Sequence, residues 1–129
     1  WHWSWDQDSA TQVTLRFQRS AEGNRVMSGY DWDAWMAIRA VATAYAKARS
    51  TDPDKIDAYL KGKRLFLDGS KGVRMDFRPW DRQLRMTIAL ATSNAVIGSA
   101  PFPEFLHEVN DLDTLGVDQP ESKCQVAQQ

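Results

Sequence analysis

Between Gly72 and Ala91 apolar residues alternate along two arms. Val73, Met75 and Phe77 lie on the first, and Leu84, Met86, Ile88 and Leu90 on the second. A period of two over that length predicts a half-buried β-hairpin turning at Pro79-Trp80. Upstream the period changes. Val13, Phe17 and Ser20 fit the inner side of a helix capped by Asp8 or Ser9 and running to about Ala21. Asp31 can cap a second helix from about Trp32 to Arg49, with Trp32, Trp35, Ile38, Val41, Ala42 and Tyr45 as its apolar face. Ala34, Ala37, Ala40, Ala42, Ala44, Ala46 and Ala48 favour helix and close packing there. Asp52-Pro53 opens a third helix that turns Ile56, Tyr59 and Leu60 inward and stops at Gly62. Trp1, Trp3 and Trp5 alternate, which predicts a short strand over residues 1–6. Phe66–Leu67 and Ala95–Ile97 supply further strands. After Pro101 the periodicity is lost, and the tail reads as an extended arm held by Phe105, Leu106, Leu112 and Leu115. The class is α/β, helices first and sheet last, an order that looks like the last third of a larger protein.

The chain has 129 residues, enough for one core. A formal net charge of −1, with no massed basic block, disfavours binding to nucleic acid or an anionic membrane. No apolar run approaches the roughly 20 residues of a membrane span, so no direct membrane insertion is expected. The opening at Trp1 reads as a processed or partial product. One cysteine, Cys124, excludes a disulfide framework or zinc site within these residues alone, leaving a free thiol or a bond to a cysteine elsewhere.

Most of the chemistry tested against the sequence fails. His2, His107 and Cys124 have no zinc spacing. Two acidic stretches, Asp6–Asp8 and Asp111–Asp113, start like calcium loops, but the first continues as Ala10-Thr11 and the second places Leu115 at a ligand position. No nucleophile elbow is present, and Gly69–Gly72 is a turn without the strand–loop–helix frame of a phosphate loop. No enzyme active site and no metal site are expected. Recognition chemistry remains. Aromatic faces with guanidinium groups suit a flat, anionic, conjugated ligand. Arg74, Arg78, Arg82 and Arg85 surround the Pro79-Trp80 corner, although the plain expectation for each is the solvent face of the hairpin.

Several stretches together carry a resemblance. They are Trp1-His-Trp-Ser-Trp, the Tyr30-Asp-Trp-Asp-Ala-Trp helix, the Asp68-Gly69 turn, Arg78-Pro-Trp-Asp-Arg-Gln-Leu-Arg, and a tail from Phe105-Leu-His-Glu through Leu112-Asp-Thr-Leu-Gly to Pro120-Glu-Ser-Lys-Cys124. The chain resembles the carboxy-terminal part of type I periplasmic solute-binding proteins of ABC importers, the branched-chain amino-acid receptor superfamily. Within it, the likeness is to the subgroup associated with PQQ-dependent alcohol dehydrogenase systems. The resemblance implies two α/β lobes with ligand in the cleft. Residues 1–65 would be the hinge strand and helices of the amino-terminal lobe, 66–100 the hairpin of the other lobe and 101–129 an extended tail. By position it nominates Trp1, Trp3, Tyr30 and Asp31 as ligand-binding, and it implies a disulfide from Cys124 to the missing segment. The implied protein is a periplasmic receptor that works with an ABC permease and with the amino-terminal segment of its own chain. It requires no cofactor. PQQ, an aromatic tricarboxylate linked to methylotrophic alcohol oxidation, is the first candidate ligand; an amino-acid-like or alcohol-derived solute comes next. The competing readings are a structural or assembly factor for a periplasmic quinoprotein dehydrogenase, and an unrelated small α/β enzyme.

Overall fold

A computed structural model describes residues 1–124. Helices α1 (Asp8–Ser20), α2 (Gly29–Ala48) and α3 (Pro53–Leu60) precede five short strands: β1 (Leu67–Asp68), β2 (Arg74–Phe77), β3 (Leu84–Arg85), β4 (Ile88–Ala91) and β5 (Val96–Ala100). The strands form two antiparallel sheets, one in the order β1-β2-β3 and one pairing β4 with β5. The architecture is mixed, with helices first and small antiparallel sheets after them. The tail adds three single 3₁₀ turns, at Pro103–Phe105, Asp111–Asp113 and Gln119–Glu121.

The core is built from α2 and the first sheet. Met27, Trp32, Met36, Ala40, Leu65, Leu67 and Met75 are buried together, with Val13, Phe17, Tyr59 and Leu60 packed against them. Helices and first sheet therefore share one interior. The Trp32 indole N–H donates to the Gly69 carbonyl at 2.9 Å, tying α2 to the turn between β1 and β2. A buried indole needs such a partner.

Five expectations are corrected. The opening is a turn and not a strand: Trp5 N–H donates to the His2 carbonyl at 3.2 Å, which folds the segment back. Ser28, and not Asp31, caps α2; the Ser28 hydroxyl accepts from the Asp31 N–H while the Asp31 side chain accepts from the Ser28 N–H, a capping box. The buried stripe of α2 is Trp32, Met36, Ala40 and Ala44, every fourth residue, while Ile38, Val41 and Tyr45 are exposed. The small Ala40 and Ala44 let neighbouring elements approach closely, so size alone pointed to the wrong face.

The fourth correction concerns the hairpin. Its second arm breaks after Arg85. Phe77 pairs with Leu84 and Asp76 with Arg85, but β4 pairs instead with β5, Ile88 opposite Ala100 and Leu90 opposite Gly98. One long period-two run thus serves two sheets. The cap of the first helix moves as well: Gln7, and not Asp8 or Ser9, holds that position and makes no side-chain capping bond, and the helix begins at Asp8.

Candidate functional site

The nominated aromatic residues divide into packed and exposed groups. Trp1 is half-buried and stacks on Trp32, centroids 6.0 Å apart and planes 11° from parallel; Trp5 sits 6.3 Å from it on another side. Its backbone lies against the start of α2, where a Cβ added to Gly29 would stand 4.0 Å from the Trp1 nitrogen. The opening segment and the first turn of α2 therefore come together. The Trp1 indole nitrogen is buried and has no hydrogen-bond partner. Trp3 is exposed and stacks on His2 at 5.7 Å. Tyr30, in the first turn of α2, is 88% exposed.

Asp31 is already committed. It accepts two bonds from Arg25, at 2.6 and 2.7 Å, and one from the Ser28 hydroxyl at 2.6 Å. The Arg25 bonds, followed by those from Ser28, hold its carboxyl well below the usual carboxylate range. Arg25 in turn packs its guanidinium 4.8 Å from the Phe17 ring centre. Asp31 therefore organises the helix start and leaves Tyr30 as the free ring there.

Lys71 is a buried group that sequence reasoning passed over. It is 3% exposed, with its ammonium 4.2 Å from the Trp32 ring centre and 5.6 Å from that of Trp5. Its ammonium donates to the Thr87 carbonyl at 3.3 Å and reaches the Met86 sulfur at 3.1 Å. No ion pair joins it to a carboxylate among the described residues. Burial pushes its pKa down to about 8, with Asp33 acting weakly in the opposite direction. Two indole faces replace part of the lost hydration. In sequence it is one residue of a Gly-Ser-Lys-Gly turn, and no pattern there signals burial.

A second cluster joins the hairpin to the tail. Arg78 is 4% exposed and stacks 4.7 Å from the Trp80 ring centre. It donates to Gln83 Oε1 at 2.6 Å and to the Val117 carbonyl at 3.4 Å. Arg85 donates to Asp113 Oδ2 at 3.0 Å and lies 3.2 Å from Asp76. The expected solvent face for these two arginines is overturned, because the tail covers that side of the hairpin. The tail is fastened by these polar bonds; of its expected apolar anchors Leu112 is half-buried, while Phe105, Leu106 and Leu115 are exposed. Arg74 does remain exposed, its guanidinium 5.0 Å from the Phe66 ring centre.

His107 belongs to the same fastening. Its Nδ1 accepts from the backbone N–H groups of Val109 and Asn110, at 3.1 and 3.4 Å, and its Nε2 lies 3.1 Å from Asp118. With both ring nitrogens engaged, it has no free lone pair for general-base work. Cys124 is exposed and its thiol is free. No group of three potential metal-ligating side chains comes together among the described residues, and none of their helices is long and apolar enough to cross a membrane.

Comparison with protein-family models, with curated proteins and with solved structures finds no match.

Proposed function

We propose that the chain is the carboxy-terminal part of a two-lobe periplasmic solute receptor of an ABC importer, linked to PQQ-dependent alcohol oxidation. It acts by binding and not by catalysis, and it delivers its solute to a membrane permease. The observation that carries this reading is the outer face of α2. Tyr30, Ala34, Ile38, Val41 and Tyr45 are exposed at helical spacing, directly opposite the buried stripe, and Ile38 is 73% exposed. A helix apolar on both sides belongs between two layers. These residues supply one layer, and the rest of the receptor supplies the other. The resemblance in the hairpin and tail motifs supports this family, and with it a ligand cleft.

The ligand is a small solute with PQQ first in line. Tyr30 presents a free aromatic face in the first turn of α2, where the N–H groups outside the Ser28–Asp31 box favour an anion, and Trp3 offers the exposed ring surface that His2 does not cover. Arg25 stands at the same place, its charge shared with Asp31. Trp1 supports this wall from the core and does not face the ligand with both ring surfaces. Titration of PQQ into the full-length receptor, followed by tryptophan fluorescence, tests the proposal. Saturable quenching is expected, weakened about five- to a hundred-fold by Trp3→Ala or Tyr30→Ala, the loss of one stacking aromatic. Absence of PQQ binding refutes the ligand. Unchanged affinity in both variants refutes the site.

A further inference from the structure

We propose that the recess between the hairpin corner and the tail is a separate binding site for a small organic cation, an amine or quaternary ammonium group on an apolar body. The recess is open to solvent on one side and has a volume of about 680 Å³, within the roughly 300–1,000 Å³ typical of small-molecule sites. None of Trp1, Trp3, Tyr30 and Asp31 lines it. The site is thus independent of the cleft proposed above.

Its walls set the chemistry. Trp80 lines it from the hairpin and Leu106 and Val109 line it from the tail, so an apolar body has surface to rest on. Among the described residues that line the recess, Arg85 is the one Lys or Arg, against the carboxylates of Glu108, Asp113 and Asp118. Arg85 spends its charge on Asp113 and Asp76. His107 takes backbone N–H bonds at Nδ1, which leaves the neutral tautomer with Nε2–H donating to Asp118. That bond does not cancel the Asp118 charge. Glu108 is exposed at the rim and makes no ion pair among the described residues. Two negative charges are left over, so an anion is repelled and a cation is drawn in.

One further feature agrees. The Trp80 ring holds the guanidinium of Arg78 at 4.7 Å, and an indole face is the best of the aromatic cation acceptors, so the ring is suited to a second cation. Asp113 is taken up by Arg85 at 3.0 Å and Arg78 at 3.5 Å, which leaves Glu108 and Asp118 as the carboxylates that attract it.

The test uses benzyltrimethylammonium as probe and benzoate as control, an aromatic ring with the opposite charge. Each is titrated calorimetrically into the full-length protein at low ionic strength. The cation is expected to bind saturably, and benzoate at least about tenfold more weakly. Trp80→Leu is expected to abolish cation binding. Because that change also removes the ring under Arg78, Glu108→Gln and Asp118→Asn provide the second arm. Both are expected to weaken the cation at least roughly threefold, with circular dichroism and melting temperature unchanged. Benzoate binding as tightly as the cation overturns the proposal. So does the absence of saturable cation binding up to about 10 mM, or wild-type affinity in folded Glu108→Gln and Asp118→Asn.

Discussion

Gly69 occupies a point where no side chain fits. A Cβ there would run into the Met75 methyl and stand 2.7 Å from Trp32 Cζ2, both on buried residues. Gly69→Ala is expected to destabilise the protein by about 1–3 kcal/mol, the range for overpacking a core, read as a lowered melting temperature. Two residues on, Lys71 imposes a different constraint. Its folded pKa of about 8 lies below its ordinary 10.5, so between those values the unfolded chain binds more protons than the folded one. Stability therefore rises with pH through that window, and the cost of the buried ammonium is fully present below pH 8. At about 1.4 kcal/mol per unit the rise is of order 3 kcal/mol. Lys71→Met should flatten it and should be neutral or stabilising by up to about 2 kcal/mol at pH 7. Denaturation of both proteins across pH 7–10.5 measures the difference; parallel pH profiles would sink the assignment.

At the scale of elements, one carboxylate is shared by the two arginines that hold the tail. Asp113 meets the buried guanidinium of Arg85 at 3.0 Å and that of Arg78 at 3.5 Å. Asp113→Ala should cost about 1–3 kcal/mol, since Arg85 keeps Asp76 and Arg78 keeps Asp81 and Gln83 but both lose their bond to the tail carboxylate, and should open residues 101–124 to limited proteolysis before the helices are cut. A tail that stays protected in that variant would show that other bonds hold it. Helix α2 ends with Arg49 in the left-handed region, φ 50°, so Arg49→Gly should stabilise by about 0.5–1 kcal/mol, visible as a higher melting temperature. The elements were legible where local chemistry decides them. Asp52-Pro53 did start α3, the helical period of α2 held over its length, and the pairing of Phe77 with Leu84 follows the alternation around Pro79-Trp80. They were illegible where distant segments decide. Arg78 and Arg85 alternate with apolar residues like a solvent face and are covered only because the tail returns. Lys71 is buried by Trp5 and Trp32, which lie far from it along the chain. Neither the contact of the opening segment with the start of α2 nor the turn that replaces its expected strand was legible, because both depend on Trp1 packing against Trp32, far along the chain.

For the whole molecule, the question is what lies against α2. Trp32, Met36, Ala40 and Ala44 bury one side, and Tyr30, Ile38, Val41 and Tyr45 leave the opposite side uncovered. Ile97, Phe105 and Val109 are further large apolar residues in the open. Burying an Ile, Val or Leu side chain contributes about 1.5–3 kcal/mol, so several uncovered ones matter against a typical net stability of about 5–15 kcal/mol. The receptor reading assigns the covering layer to the rest of a two-lobe protein, with which these residues form a common core. Sedimentation velocity combined with denaturant unfolding of the 129-residue chain by itself puts this to the most direct test. The account predicts self-association through the α2 face, or loss of a cooperative transition, with both reversed when the rest of the receptor is supplied. A monodisperse monomer that unfolds in one sharp cooperative step would contradict it.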